Sequence, residues 1–337
     1  MILVTGGTGM VGAHLLYHLA LENEQIIAIY RSESKLKAVE NVFSYYTENT
    51  NQLFKKIIWE KADIEDTISL EELFQKHKIT QVYHAAALVS FNPKDYKKMR
   101  QVNIQGTMNI VNFCIDFNVE KLCYVSSVAT LSKKVNQEFL DESCDWNPEE
   151  KNYGYAISKY GAEMEVWRGT QEGLNAVIVN PGVILGAGFW KNGTGDIFSK
   201  FHKGFPYYTE GITGFVGVKD TVKAMIQLMK SDIKDERFVL VSENISFKDL
   251  FFSIAGNFQK KKPSKKVSEG SMKLLAVLDK IRCFFTNGTP LLTEQSVKSA
   301  HSKTYYNSDK IKQELSFDFE PISTTISEIC TDFNRDK

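Results

Sequence analysis

The sequence predicts an α/β protein: a doubly wound parallel sheet accompanied by a smaller, mostly helical C-terminal lobe. Short runs rich in Val, Ile and aromatic residues alternate with stretches of helical periodicity through the first 180 residues. The runs are apolar almost throughout, the mark of strands covered on both faces, where one-sided strands would alternate. In addition, the first run passes through a cluster of glycines directly into a helical stretch.

In chain order, "MILVT" (1–5), "QIIAIY" (25–30), "KIIWEKA" (56–62), "QVYHA" (81–85), "KLCYVSS" (121–127) and "LNAVIVN" (174–180) read as strands. Between them "MVGAHLLYHLALEN" (10–23), "TISLEELFQKH" (67–77) and the long segment 93–117 read as helices. In the last, Met99, Val102, Ile104, Met108, Val111 and Ile115 recur at near-helical spacing. Such strand–helix alternation predicts a parallel sheet with helices on both faces. After Asn180 the rhythm changes. "PGVILGAGFWKNGTG" is a glycine-rich loop, "GFVGV" and "RFVLVS" are two further strands around the helix "KDTVKAMIQLMK", and from about residue 244 the chain is mostly helical. The expected division is 1–180 plus 213–243 for the sheet domain and 181–212 plus 244–337 for the second lobe. Phe189, Trp190, Phe198, Phe201, Phe205, Tyr207 and Tyr208 of that lobe read either as an apolar pocket wall or as lobe core.

The 337 residues are 43% hydrophobic and 24% charged, ordinary for a globular protein. The formal net charge is zero, so no global field favours nucleic acid or an anionic membrane, and neither partner is expected. "QKKKPSKK" (259–266) is the local exception and reads as a solvated loop. "MKLLAVLDKIRCFF" (272–285) is the most apolar long run, but Lys273, Asp279, Lys280 and Arg282 interrupt it, and it reads as an amphipathic helix. The cysteine count is five, odd and without a CxxC pair. This speaks against a disulfide framework or a zinc site, and for a reducing compartment. With a strand starting at Met1 there is no room for a leader, so a cytoplasmic protein is expected.

The glycine cluster Gly6, Gly7, Gly9 and Gly12 sits between a strand and a helix. Glycines there let the backbone approach a pyrophosphate, which the free N–H groups and positive dipole end of the helix then hold. This is the first unit of a Rossmann-type dinucleotide-binding fold. Two phasings are open: Gly7, Gly9, Gly12 as G-x-G-x-x-G, or Gly6, Gly9, Gly12 as G-x-x-G-x-x-G. The second strand ends at Tyr30-Arg31, where an NAD-preferring fold carries an acidic residue. Arg31 can take a 2′-phosphate bidentately, which favours NADP, with NAD possible if Arg31 is only solvated and Glu33 serves the ribose.

Further along, "YGYAISKYGAE" places Tyr155 and Lys159 four apart on one helical face. A lysine beside a tyrosine favours the phenolate, and the phenol can then exchange a proton with a carbonyl oxygen. Tyr153 and Tyr160 compete for that role, though Tyr160 points elsewhere on the helix and Tyr153 has no lysine at four.

On these residues the chain resembles the extended short-chain dehydrogenase/reductase superfamily, which includes the NAD-dependent epimerase/dehydratases. The matching stretches are "TGGTGMVG" (5–12), "AD" (62–63), "HAAA" (84–87), "VNIQGT" (102–107), "YVSS" (124–127), "YAISK" (155–159) and "NPGVILG" (180–186), in family order. The resemblance implies the phase Gly6, Gly9, Gly12. It also implies a cofactor-binding set of Gly6, Thr8, Gly9, Met10, Val11, Gly12, Arg31, Asp63, Ile64, Ala85, Ala86, Ala87, Asn103, Lys159, Pro181 and Val183. Within it Asp63 would bond the adenine amino group, Ala85 and Ala87 would line the cofactor groove and Asn103 would support it. Ser127, Tyr155 and Lys159 would be catalytic: Ser127 orienting the substrate oxygen, Tyr155 as acid/base, Lys159 binding the ribose and depressing the phenol. Read without the family, Ser126 rivals Ser127 and Asp63 is a helix cap.

Sugar-nucleotide members carry a basic residue where this chain has Thr213-Gly214, and dehydratases an acidic pair where it has Val128, Ala129 and Thr130. "NPGVILG" and "SKTYYNSDKIKQELSF" look more like the dihydroflavonol-reductase and 3β-hydroxysteroid-dehydrogenase-like branch, with Gly217 standing where members often carry a larger polar residue. The resemblance thus implies an NADP-dependent oxidoreductase acting on a small-molecule ketone, aldehyde or alcohol. The alternatives are a sugar-nucleotide epimerase or dehydratase with tightly held NAD, and a non-catalytic dinucleotide sensor or scaffold. It also implies a homodimer through the helices over 95–117 and 153–172.

Overall fold

Leu3 and Val4 are neighbours on the first strand, and both are fully buried, in different cores. The same holds for Ile26 with Ile27 and for Val177 with Ile178. Successive strand residues point to opposite faces, so an unbroken apolar run means a sheet with a core on each side. Each such Val, Leu or Ile contributes about 1.5–3 kcal/mol on burial.

The computed structural model describes residues 1–22, 25–134, 137–286, 290 and 292–337. The sheet strands are β1 (Ile2–Thr5), β2 (Ile26–Tyr30), β3 (Ile57–Lys61), β4 (Gln81–His84), β5 (Lys121–Val125), β6 (Ala176–Pro181) and β7 (Glu236–Leu240). They lie in the order β3-β2-β1-β4-β5-β6-β7, every pair parallel. This is the doubly wound order, and it reverses between β1 and β4. Ligands of such sheets bind beyond the strand carboxyl ends at that reversal. Thr5 pairs with His84 there, which sets the glycine turn beside Ala85–Ala87.

Helices Met10–Glu22, Thr67–Lys76 and Gly154–Gln171 cover the sheet, with Leu36–Ser44 as a further helix that the sequence reading did not single out. The segment 96–116 is helical throughout but widens to a π turn at Arg100–Gln105. Strand Ile212–Gly217, the "GFVGV" run, stays out of the large sheet. It pairs with Val183–Leu185 and Glu243–Ser246 in a three-stranded sheet of its own, while the "RFVLVS" run supplies the edge strand β7.

Helices Phe247–Asn257, Glu269–Thr286, Glu294–His301, Asp309–Leu315 and Ile322–Arg335 follow. Phe198 and Phe201 are buried with Phe215, Ile254 and Phe333, and Trp190 meets Phe333 edge-on at 4.8 Å. These aromatics are lobe core, whereas Phe205 and Tyr207 lie on the surface. The pocket-wall reading gives way because the lobe's own helices bring enough apolar residues to enclose the rings. All five cysteines are buried free thiols. Among the described residues no helix is long and apolar enough to cross a membrane.

Candidate active site

The turn after β1 is closed by Gly9 N–H donating to the Gly6 carbonyl at 2.9 Å. Gly6 has φ +70°, and a Cβ on it would lie 2.6 Å from the Ala86 nitrogen. A Cβ on Gly12 would lie 2.2 Å from the Gly6 oxygen. Both positions therefore require glycine. Gly7 faces Leu16 and Ala28 instead, a packing position. The helix that starts at Met10 leaves the N–H groups of its first turn without intrahelical acceptors, beside an exposed Gly9. Turn, close approach and free amides together fit a dinucleotide pyrophosphate. Thr8, Met10 and Val11 are half-buried around it, Met10 also lying against Gly186 of the second lobe.

At the end of β2, Arg31 reaches across to Asp63, Nη1 to Oδ2 at 3.7 Å, both partly exposed. Asp63 also accepts from the Glu65 N–H at 3.1 Å, while helix Thr67–Lys76 is capped by Asp66. Asp63 is thus not the helix cap. Glu33 accepts from the Tyr30 hydroxyl at 3.5 Å. Ile64 packs under Gly106, where a Cβ would lie 2.5 Å from it.

Beyond β4, Asn103 sits in the π turn and exchanges two hydrogen bonds with Leu88. The Leu88 N–H donates to its Oδ1 at 2.7 Å, and its Nδ2 donates to the Leu88 carbonyl at 3.0 Å. The same Nδ2 reaches Ser158 Oγ at 2.9 Å, tying the loop of Ala85–Ala87 to helix Gly154–Gln171. Beneath, His84 bridges Thr5 and Thr107, and burial lowers it to about 3, so the ring is neutral. Pro181 ends β6 and Val183 opens the small sheet. Gly182 between them is so close to the Gly214 carbonyl that a Cβ would lie 2.4 Å away.

Helix Gly154–Gln171 carries Tyr155 and Lys159 one turn apart, and the Ser127 side chain stands beside the Tyr155 phenol. Burial raises the phenol above its ordinary 10, and Ser127 works the other way. Lys159 Nζ donates to the Tyr124 hydroxyl and the Val125 carbonyl, each at 2.7 Å, and burial lowers it to about 7 against the pull of Glu163. The expected depression of Tyr155 by Lys159 is therefore corrected. The phenol is shifted upward because burial penalises the phenolate, and burial lowers the lysine as well. Ser126 turns inward and donates to Glu163 at 2.5 Å, which leaves Ser127 as the serine facing the phenol. Tyr160 is stacked on Trp146 with ring centres 4.5 Å apart. Tyr153 stands 6.1 Å from the Tyr155 ring, and Phe91, exposed, lies 6.0 Å from Tyr153 and 6.5 Å from Tyr155. The Tyr306 ring packs against Gly214. Thr325 fills the space beside Gly217 that a larger side chain would need.

Glu163 was missed by sequence reasoning. It is fully buried and gathers Ser126, Thr130 and Asn180 on Oε2, at 2.5, 3.0 and 3.0 Å, with Arg237 and Trp167 on Oε1, at 3.2 and 3.4 Å. Thr130 shares its one hydroxyl hydrogen between Glu163 and the Ser127 carbonyl, 2.9 Å away, and Asn180 Nδ2 donates to the same carbonyl at 3.2 Å. The available signal was spacing: Tyr155, Lys159 and Glu163 recur every four residues on one face.

Residues 2–240 match the model of the NAD dependent epimerase/dehydratase family. The chain belongs to that family. It is an NAD(P)-dependent oxidoreductase-type enzyme of the extended short-chain dehydrogenase/reductase group, and the doubly wound sheet and glycine turn are that family's. It is similar to a Synechocystis sp. protein that bears a provisional dihydroflavonol 4-reductase name, 29% identical over 320 residues, with 93% of this chain and 88% of that one covered. It is also similar to "Sterol demethylase protein B" of Methylococcus capsulatus, 25% identical, with 93% and 92% covered. Among solved structures, gox2253 superposes with TM-score 0.81 at 24% identity, over 100% of this chain and 98% of the other, a likeness of fold.

Proposed function

We propose that the chain is an NADP-dependent carbonyl reductase acting on a ketone or aldehyde, or on the corresponding alcohol in reverse. The observation that carries this reading is the placing of Ser127 beside Tyr155, next to the exposed Phe91 and the Tyr153 ring and away from any acidic pair at 128–130. When bound, the nicotinamide dinucleotide supplies or takes the hydride. Gly6, Gly9, Gly12 and the first helical turn would hold its pyrophosphate, Asp63 and Ile64 its adenine end, and Arg31 its 2′-phosphate. Ser127 orients the substrate oxygen by hydrogen bonding, and Tyr155 gives that oxygen a proton, or removes it in the oxidative direction. The phenol is protonated at neutral pH and so can donate in the reductive direction. Lys159, between Tyr124 and the strand end, holds the ribose side of the groove. A phosphate-bearing sugar nucleotide finds no cation at Thr213-Gly214, where Tyr306 packs. Names of relatives that speak of flavonoid and sterol chemistry agree with a lipophilic ring ketone. The helices over 95–117 and 153–172 carry the proposed homodimer contact.

The test is a screen of NADPH oxidation over ketones, aldehydes and sugar nucleotides. Turnover of a carbonyl compound with NADPH supports the reading. Conversion of sugar nucleotides alone, with oxidised cofactor retained through purification, overturns it.

A further inference from the structure

One surface of the second lobe takes no part in the site above. Helix Glu269–Thr286 turns Leu274, Leu275, Val277 and Leu278 outward, and each is between 50% and 61% exposed. At about 100° per residue these four cover a single face roughly 160° wide. Met272, Ala276 and Asp279 on the other side are half-buried, and helix Glu294–His301 lies against the helix. Over its described side chains the helix therefore meets its own lobe with Met272, Ala276, Asp279 and Cys283 and shows Leu274, Leu275, Val277 and Leu278 to the outside. That inverts the usual arrangement, and such faces mark interaction surfaces.

Charge is concentrated next to it. Lys260, Lys261, Lys262, Lys265 and Lys266 are all exposed. With Lys273 they make six positive charges; Lys266 pairs with Glu210 and Lys273 with Glu269, which leaves an excess of four in a chain whose net charge is zero. The Lys265–Lys266 strand pairs with Tyr207–Tyr208, and Lys265 Nζ lies 5.5 Å from the Tyr207 ring centre. Tyr207 and Phe205 are exposed too, their rings 5.5 Å apart.

We infer that this face is a docking surface for an anionic bilayer. Leu274, Leu275, Val277 and Leu278 enter the boundary between headgroups and acyl chains, Phe205 and Tyr207 sit at the interface, and the lysines of 260–266 meet the anionic headgroups. The composition selects a membrane over a protein, since lysine is depleted in protein–protein interfaces but typical of interfacial helices. The zero net charge that argued against a membrane concerns the far field, whereas adsorption is decided within a Debye length of the surface.

Co-sedimentation of the full chain with vesicles tests this. Vesicles of phosphatidylcholine mixed with phosphatidylglycerol should bring the protein down at low salt, and phosphatidylcholine alone should not. Lys260→Gln with Lys261→Gln and Lys262→Gln should weaken binding by about five-fold per lysine. Leu274→Ser with Leu275→Ser and Leu278→Ser should weaken it on the order of ten-fold or more at unchanged charge. All six positions are exposed, so unaltered circular dichroism melts should accompany both variants. Failure of the wild type to bind anionic vesicles overturns the inference. So does wild-type binding by the leucine variant, which would reduce the contact to lysine charge alone. Light scattering that shows self-association lost in the leucine variant, with no vesicle binding, would assign the face to a second copy of the chain and also overturn it.

Discussion

Glu163→Ala removes a fully buried carboxylate that five groups converge on, and the contacts set the size of the loss. The Ser126 hydroxyl has Glu163 as its acceptor at 2.5 Å, and stranding a buried donor costs about 1–3 kcal/mol. Thr130 and Asn180 keep the Ser127 carbonyl at 2.9 and 3.2 Å, so they lose less. Arg237 keeps the Glu142 and Cys144 carbonyls but loses its nearest charge, since Asp145 is 3.8 Å away and almost wholly exposed. Breaking a buried ion pair from one side costs about 3–5 kcal/mol, and that is the expected total. At about 2 °C per kcal/mol, the low end for large domains, the melting point should fall by roughly 6–10 °C. Denaturant unfolding of Glu163→Ala, Arg237→Ala and the double variant provides the measurement. The pair should be coupled by about 0.5–3 kcal/mol. A Glu163→Ala protein as stable as wild type, or strict additivity in the cycle, would refute the reasoning. Glu163→Gln should fall between, because its amide nitrogen cannot accept from Ser126 or Thr130.

Tyr155→Phe should keep cofactor affinity by calorimetry yet lose about 10²–10⁴-fold in turnover, and full activity would move the acid elsewhere. Arg31→Ala should weaken NADPH by about 1.5–3 kcal/mol while NADH is unchanged, with equal wild-type affinities for both cofactors arguing for NAD. Gly12→Ala, whose Cβ would lie 2.2 Å from the Gly6 oxygen, should abolish dinucleotide binding in a fluorescence titration, and retained binding would show the turn to be pliable. Lys159, lowered to about 7 by burial, is charged below that pH and neutral above it, so it binds fewer protons folded than unfolded between about 7 and 10.5. Wild-type stability should therefore rise with pH across that window, and the rise should shrink in Lys159→Met. Parallel stability–pH curves would show that the lysine is not depressed.

What the sequence made legible follows a physical divide. Strand runs such as "QIIAIY" could be read because burial on both faces is written in consecutive residues. Gly6, Gly9 and Gly12 could be read because a backbone-to-backbone approach admits only one residue type. The side of the fold on which "GFVGV" lands could not be read. A strand's partners depend on where the chain returns, and Ile212–Gly217 returns to Val183–Leu185, leaving β7 as the sheet's edge. The same divide runs through the site. Tyr155 and Lys159 are visible as a pair, but the lysine's state is set by the depth of the core and by Glu163, and its ammonium is held by Tyr124, 35 residues earlier. Glu163 looks in sequence like any helical glutamate; only β5, β6 and β7, by delivering Ser126, Asn180 and Arg237 to one point, make it an anchor. The helix face 155–159–163 is accordingly one device. In the proposed reaction its first residue would meet the substrate oxygen and its second the cofactor groove, while its third fastens the Ser127 backbone through Thr130 and Asn180, so that hydroxyl and phenol are held in register by a single rigid element.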